Sequence, residues 1–274
     1  MGTSHRHTPT VKGEPNWGGA SKAITALTGV TEKLVALTVN PPEHKSTKQI
    51  ARLQDQFERQ ITRNYHKAVG RLIKAAGGRD KVSSGSSRAI GYAGISVIGE
   101  LVSSIQEIVS KGLAQWLHQR GVLLEGKRIC DIIDIIRQYV EKEIVGLDHT
   151  AANEAMECVL DRLEELLGED VGKIEDVMSA ILTGTDIKNM IDLFFGMYIY
   201  SHLSQDFEEK LEYEKGSKAM KYAMDEIKEQ ILDDIRTGRL GCDVRMVDWS
   251  KPEGTAFIKA EFSRILFILQ GNED

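Results

Sequence analysis

Cysteine is almost missing from this sequence. Cys130, Cys158 and Cys242 are the only three in 274 residues, widely spaced and with no C-x-x-C pair. An odd number of scattered thiols argues against a disulfide framework and against a zinc site, and it fits a reducing cytoplasm. Long apolar runs are missing too. None approaches the roughly 20 residues of a membrane span, and the opening residues lack the apolar stretch of a signal peptide, so a cytoplasmic protein with no membrane partner is expected. The sequence has no H-E-x-x-H, no G-x-S-x-G and no cluster of His, Cys and Asp in which to seat a reaction, so no enzyme and no cofactor are expected. Net positive charge is lacking as well: at −6, the whole chain does not favour nucleic acid.

What is present is a helical pattern. Hydrophobic residues make up 41% and charged residues 28%, enough for a core with a soluble surface. Spacings of three and four predict an all-α fold, a multi-helix bundle-like domain over residues 21–274 behind an extended tail of residues 1–20. The predicted helices run from Ser21, a plausible N-cap, to Thr38; Ser46 to Ala76; from about Ile90 to His118; Ile129 to Val145; Ala151 to Leu167; Ile174 to Leu182; Asp186 to Leu211; Lys218 to Arg236; and Pro252 to Leu269. Pro41-Pro42 and Gly77-Gly78 stop the first two. Asp186 should cap the seventh, whose first half is apolar nearly all round, as in a helix surrounded by others. Asp148 or Thr150 should cap the helix from Ala151. Cys242–Trp249 is β-branched in part and reads as extended.

Some polar residues have plain structural readings. Lys81–Arg88 resembles a phosphate loop only superficially. It lacks G-x-x-x-x-G-K-[ST] and a preceding strand, so it reads as a mobile connector. Gly91, Gly94 and Gly99 lie among Ile and Leu, where small residues permit close helix packing. Asp131 and Asp134 share a face near a helix start, where carboxylates complement the dipole; an enzyme would need them and a His to line one cleft. His118 reads as a helix-end or core residue, and His202 has no evident Ser or Cys partner.

The helix from Ser46 carries the one strong charge asymmetry. Between Lys45 and Arg88 there are eleven Lys/Arg against three Asp/Glu. Lys48, Arg52, Arg59, Arg63, Lys67, Arg71 and Lys74 fall opposite the apolar positions Ile50, Leu53, Phe57, Ile61, Tyr65, Val69 and Leu72. Such a face is either solvated or a surface for phosphate backbones or an acidic partner.

The first residues, MGTSHRHTPTVKGEPNWGG, show no helical period. Gly2 after Met1 permits removal of the initiator, leaving a free glycine amine. With a pKa of roughly 7.7–8.0, part of it is uncharged and nucleophilic near neutral pH. Arg6 stands where a myristoylation signal wants Ser or Thr, which excludes that modification. A polar segment of this kind cannot bury a core and would thread extended into a partner's groove. His5 and His7 face one side of an extended chain, but no third ligand is apparent, so no metal is expected. Trp17 among turn formers reads as an anchor onto the body.

These residues carry a family resemblance. Met1-Gly2-Thr3-Ser4, Gly13-Glu14-Pro15-Asn16-Trp17-Gly18 and the helix start at Ser21 to Thr25 resemble the QatB-like proteins of the bacterial Qat antiphage defence cluster. Arg79–Arg88 and Val247-Asp248-Trp249-Ser250 with Pro252-Glu253 agree with it. After Ser4 the sequence departs from the family's Gly-Pro-rich continuation. The resemblance implies a non-enzymatic partner of a P-loop-type ATPase, a QueC-like enzyme and a TatD-like nuclease. It also implies that the QueC-like enzyme takes Gly2, Thr3 and Ser4 as its protein substrate and attaches a deazaguanine base to the Gly2 amine, with Trp17 serving partner binding. The alternative is a helical nucleic-acid-binding protein that uses Arg52, Arg59, Arg63, Lys67, Arg71 and Lys74.

Overall fold

The computed structural model describes residues 17–42, 44–141, 146–215, 217–238, 244 and 247–271; it does not describe the side chains of residues 17, 21 and 206–224. Among the described residues, eleven α-helices follow in order: α1 (Trp17–Val39), α2 (Thr47–Ala75), α3 (Arg79–Ser83), α4 (Tyr92–Lys111), α5 (Leu113–His118), α6 (Ile129–Val140), α7 (Leu147–Leu167), α8 (Ile174–Thr183), α9 (Asp186–Lys215), α10 (Ser217–Thr237) and α11 (Pro252–Gln270). No strand occurs among the described residues. The fold is all-α, as the periodicity predicts.

Helix α9 is the axis. Ile187, Met190, Ile191, Phe194, Phe195, Tyr198, Ile199 and Leu203 are buried on every side of its first half. The helix packs against α1, α2, α4, α7, α8, α10 and α11, which is why no polar face survives there. The Phe195 ring stacks on Phe262 of α11 with centroids 4.0 Å apart. Burial of a side chain of this size contributes about 1.5–3 kcal/mol. On α4, Gly94 lies under the Tyr198 ring. A Cβ there would sit 2.8 Å from the phenol carbon, so the missing side chain sets how closely α4 and α9 approach. Gly99 has open space and plays no such part.

Helix α2 forms a hairpin with α1 and keeps one face outward. Its start is fixed locally, since the Gln49 side chain accepts the Ser46 backbone N–H at 2.9 Å. Of the apolar stripe expected from spacing, Ile61, Tyr65, Val69 and Leu72 are buried, joined by Ala68 and Ile73, while Ile50, Leu53 and Phe57 are half-buried.

Several boundaries differ from expectation. Helix α1 starts at Trp17 rather than Ser21, and Ala20 in its first turn is buried against the body. The helical body therefore begins inside the stretch assigned to the tail. The expected connector at 81–88 opens with α3, pinned by the fully buried Val82. The long helix to His118 is two helices, broken at Gly112, whose φ of +88° takes the chain out of the helical region; Leu113 N–H then donates to Glu175 of α8 at 2.7 Å. Helix α6 ends at Val140, and residues 142–145 lie outside the described residues. Helix α7 begins at Leu147, four residues before Ala151. Asp186 stands inside the first turn of α9, where the Asn189 N–H donates to the Thr185 carbonyl instead. Of the segment expected to be extended, Val244 and 247–249 are described, and no strand is formed there; the Val247 N–H donates to the Val244 carbonyl. Against the expectation that no segment suits a membrane span, α4 meets that test by length and composition, with a mean hydropathy of 1.2. Its apolar face is spent on α7, α8 and α11.

Candidate functional site

The outer face of α2 is the feature that packing does not consume. Lys48, Arg52, Arg59, Arg63, Lys67, Arg71 and Lys74 are all exposed. None of these side chains forms an ion pair among the described residues, although Asp55 and Glu58 lie within a turn of Arg52 and Arg59. Elsewhere on the surface, cations do pair with acids three residues away: Arg128 with Asp131, Arg162 with Glu165, Lys173 with Asp170, Lys251 with Asp248. Arg52, Arg59 and Arg63 line a shallow groove with Asp55, Gln56 and Gln60. The unpaired cations form one stripe of about 39 Å, for 26 residues at roughly 1.5 Å rise. Guanidinium groups so displayed suit bidentate contact with phosphate or carboxylate.

The stripe ends beside the start of α1. A Cβ on Gly19 would lie 3.5 Å from the Arg71 Cδ, so the arginine stem runs over the first turn of α1. Gly2, Thr3, Ser4, His5 and His7 lie outside the described residues, and Trp17 is described only as the first residue of α1.

A second polar cluster is buried, and sequence reasoning does not reach it. Asp148, read as a possible cap for α7, points instead into the core. One of its oxygens accepts hydrogen bonds from the Tyr198 hydroxyl and from His202 Nε2, at 3.1 Å in the histidine case. An ionised carboxylate only accepts, so Nε2 of His202 carries its proton. The Ala93 N–H donates to the other oxygen at 2.8 Å, and the Gly91 N–H donates to both Asp148 and the Tyr198 oxygen. Asp148 thus caps α4 from a different helix. Burial raises its pKa, but the hydrogen bond and electrostatic pull of His202, with the bonds from Tyr198 and Ala93, outweigh this and hold it below the usual carboxylate range. The Tyr198 phenol is pushed well above its ordinary value by burial and then by the Asp148 charge. One turn further along α9, Ser201 donates to Glu154 of α7. Asp148 with His202 has the make-up of an orienting pair for general-base chemistry, but both are 6–7% exposed, and Tyr198 closes over them. The arrangement locks α4, α7 and α9 together. Tyr198 and His202, four apart in an apolar helix, are the available signal: polar tips on a buried face need a buried partner.

A third cluster joins α9 to α11. Lys188 donates to Asp192 at 3.0 Å and to Glu261 at 2.6 Å; Arg264 bridges the same two carboxylates at 2.9 and 2.7 Å and donates to the Gly238 carbonyl. Two cations and two carboxylates balance one another in the interior. Burial raises both acids, yet Glu261 is brought down to about 2 by Arg264 and its other partners, while Asp192 stays raised, by burial and by Glu261 beside it.

Asp131 and Asp134 have local partners. Asp131 accepts the Arg128 backbone N–H at 2.8 Å, its bonds to Arg128 lowering its pKa, and Asp134 pairs with Arg137 at 2.6 Å. His118 is exposed at the end of α5. No group of three or more His, Cys, Asp or Glu among the described residues is placed to hold a metal. No protein-family model, curated protein or solved structure matches the chain.

Proposed function

We propose that this protein is a non-enzymatic component of a bacterial antiphage defence complex, and that a QueC-like partner enzyme recognises its N-terminal segment and modifies Gly2. The observation that carries the reading is the opening Met1-Gly2-Thr3-Ser4 followed by Gly13-Glu14-Pro15-Asn16-Trp17-Gly18, the residues of the Qat resemblance. One structural fact supports it. Asp148 with His202, and Asp192 with Glu261, are spent on joining helices.

The chemistry is that of an amine meeting an activated acid. After removal of Met1, the Gly2 nitrogen attacks the acyl carbon of a deazaguanine acid activated on the partner. A C–N bond forms, the activating group leaves with its electron pair, and the amine gives up a proton. Glycine is the least hindered residue to carry that amine, and its pKa of roughly 7.7–8.0 leaves part of it uncharged. A P-loop-type ATPase and a TatD-like nuclease would complete the assembly, in the cytoplasm.

The test is the intact mass and N-terminal peptide mass of the protein expressed alone and with its genomic neighbours. A mass increase confined to Gly2, and seen only with the neighbours, is expected. An unmodified Gly2 in a preparation that still protects cells from phage would overturn the proposal.

A further inference from the structure

We infer that the unpaired cation stripe on α2 binds the phosphate backbone of duplex nucleic acid without reading its sequence. The inference stands apart from the fate of Gly2. Three observations carry it. First, the charge is uncompensated: Arg52, Arg59, Arg63 and Lys67 are exposed with no ion pair among the described residues, in a chain of net charge −6 whose other surface cations commonly pair with neighbouring acids. Second, the stripe is long. At about 39 Å it matches roughly 11–12 base pairs of duplex at 3.4 Å each.

Third, the face has cations, amides and the single carboxylate of Asp55 in the groove, but no rings. The aromatic residues of α2, Phe57 and Tyr65, turn inward, with Tyr65 fully buried; Gln56 and Gln60 stand between the arginines. Proteins that hold single strands place aromatic side chains for successive bases to stack on, at about 1–3 kcal/mol per base. A face without rings offers single strands little beyond charge, whereas a duplex presents both phosphate rows and needs no stacking partner. Membrane surfaces fit less well, since binding to them in the interface plane draws on exposed apolar anchors beside the cations.

The experiment uses the full-length protein and a fluorescein-labelled DNA duplex of about 16 base pairs, longer than the stripe, with the single strand of the same length and anionic phosphatidylserine vesicles as competitors, between about 50 and 200 mM salt. The test variant is Arg52→Glu/Arg59→Glu/Arg63→Glu. The control, Arg162→Glu/Lys173→Glu/Arg236→Glu, makes the same change in net charge at exposed positions elsewhere. Circular dichroism checks that both keep the helical content of the parent.

Duplex binding is expected to fall steeply with salt. The stripe variant should lose at least about tenfold in affinity at the lower salt, with the log–log salt slope shallower by about 3, near 0.9 for each phosphate that is no longer neutralised. The control should bind like the parent. Preference for the single strand, equal loss in both variants, displacement by vesicles in place of duplex, or no binding at about 50 mM salt would each overturn the inference.

Discussion

His202 Nε2 lies 3.1 Å from a carboxylate oxygen of Asp148, residues 54 apart in sequence and on different helices. With Tyr198 and two backbone N–H groups, this makes Asp148 the acceptor that three helices share. Asp148→Ala would leave these donors buried without a partner. The expected loss is about 3–5 kcal/mol, the cost of breaking a buried charged contact from one side. Urea unfolding followed by circular dichroism reads it, and a loss under about 1 kcal/mol would mean that water replaces the carboxylate.

The same carboxylate gives stability a definite pH dependence. Its pKa in the fold is held below the usual value. A depressed acid contributes its full stabilisation above its unfolded pKa, near 3.9, and loses it as pH falls through the folded value. The gap in urea midpoint between the parent and Asp148→Asn should therefore be constant from neutral pH down to about 5 and narrow toward pH 3. A gap that widens on acidification would show that the lowered Asp148 carboxyl does not set this dependence.

The quartet of Lys188, Asp192, Glu261 and Arg264 makes a prediction about additivity. Lys188→Met leaves two buried carboxylates on one cation and should cost about 3–5 kcal/mol. Glu261→Met alone leaves an excess cation. The double variant restores balance, so it should cost less than the sum of the singles by about 0.5–3 kcal/mol. A double-mutant cycle by urea unfolding measures that difference, and strict additivity would remove the idea that the four act as a unit.

Much of this architecture is legible in the sequence because it is written locally. Ser46 and Gln49 open α2, the spacing from Ile61 to Ile73 sets its buried face, and the apolar run from Ile187 marks α9 as the axis. Gly94 is legible as a close-approach residue, though its opposite number, Tyr198, is not. What cannot be read depends on partners distant in sequence. Asp148 resembles a cap because Gly146 precedes it, and nothing nearby announces Tyr198, 50 residues on. Gly112 breaks a run that is apolar on both sides, and there the positive φ, not the pattern, decides. Of the candidate site, the basic face follows from the helical period alone. That its charges lack partners does not, since Asp55 and Glu58 stand at spacings that pair well on other helices.

Helix α11, synthesised after the other ten described helices, is the one that closes the described body. Helix α11 touches α2, α3, α4, α9 and α10. Until the ribosome reaches residues 252–270, Phe195 lacks the ring of Phe262, and Lys188 and Asp192 lack Glu261 and Arg264. Until then the chain carries an open apolar face and a Lys188–Asp192 pair that lacks its partners, a state in which exposed surface invites chaperones or aggregation.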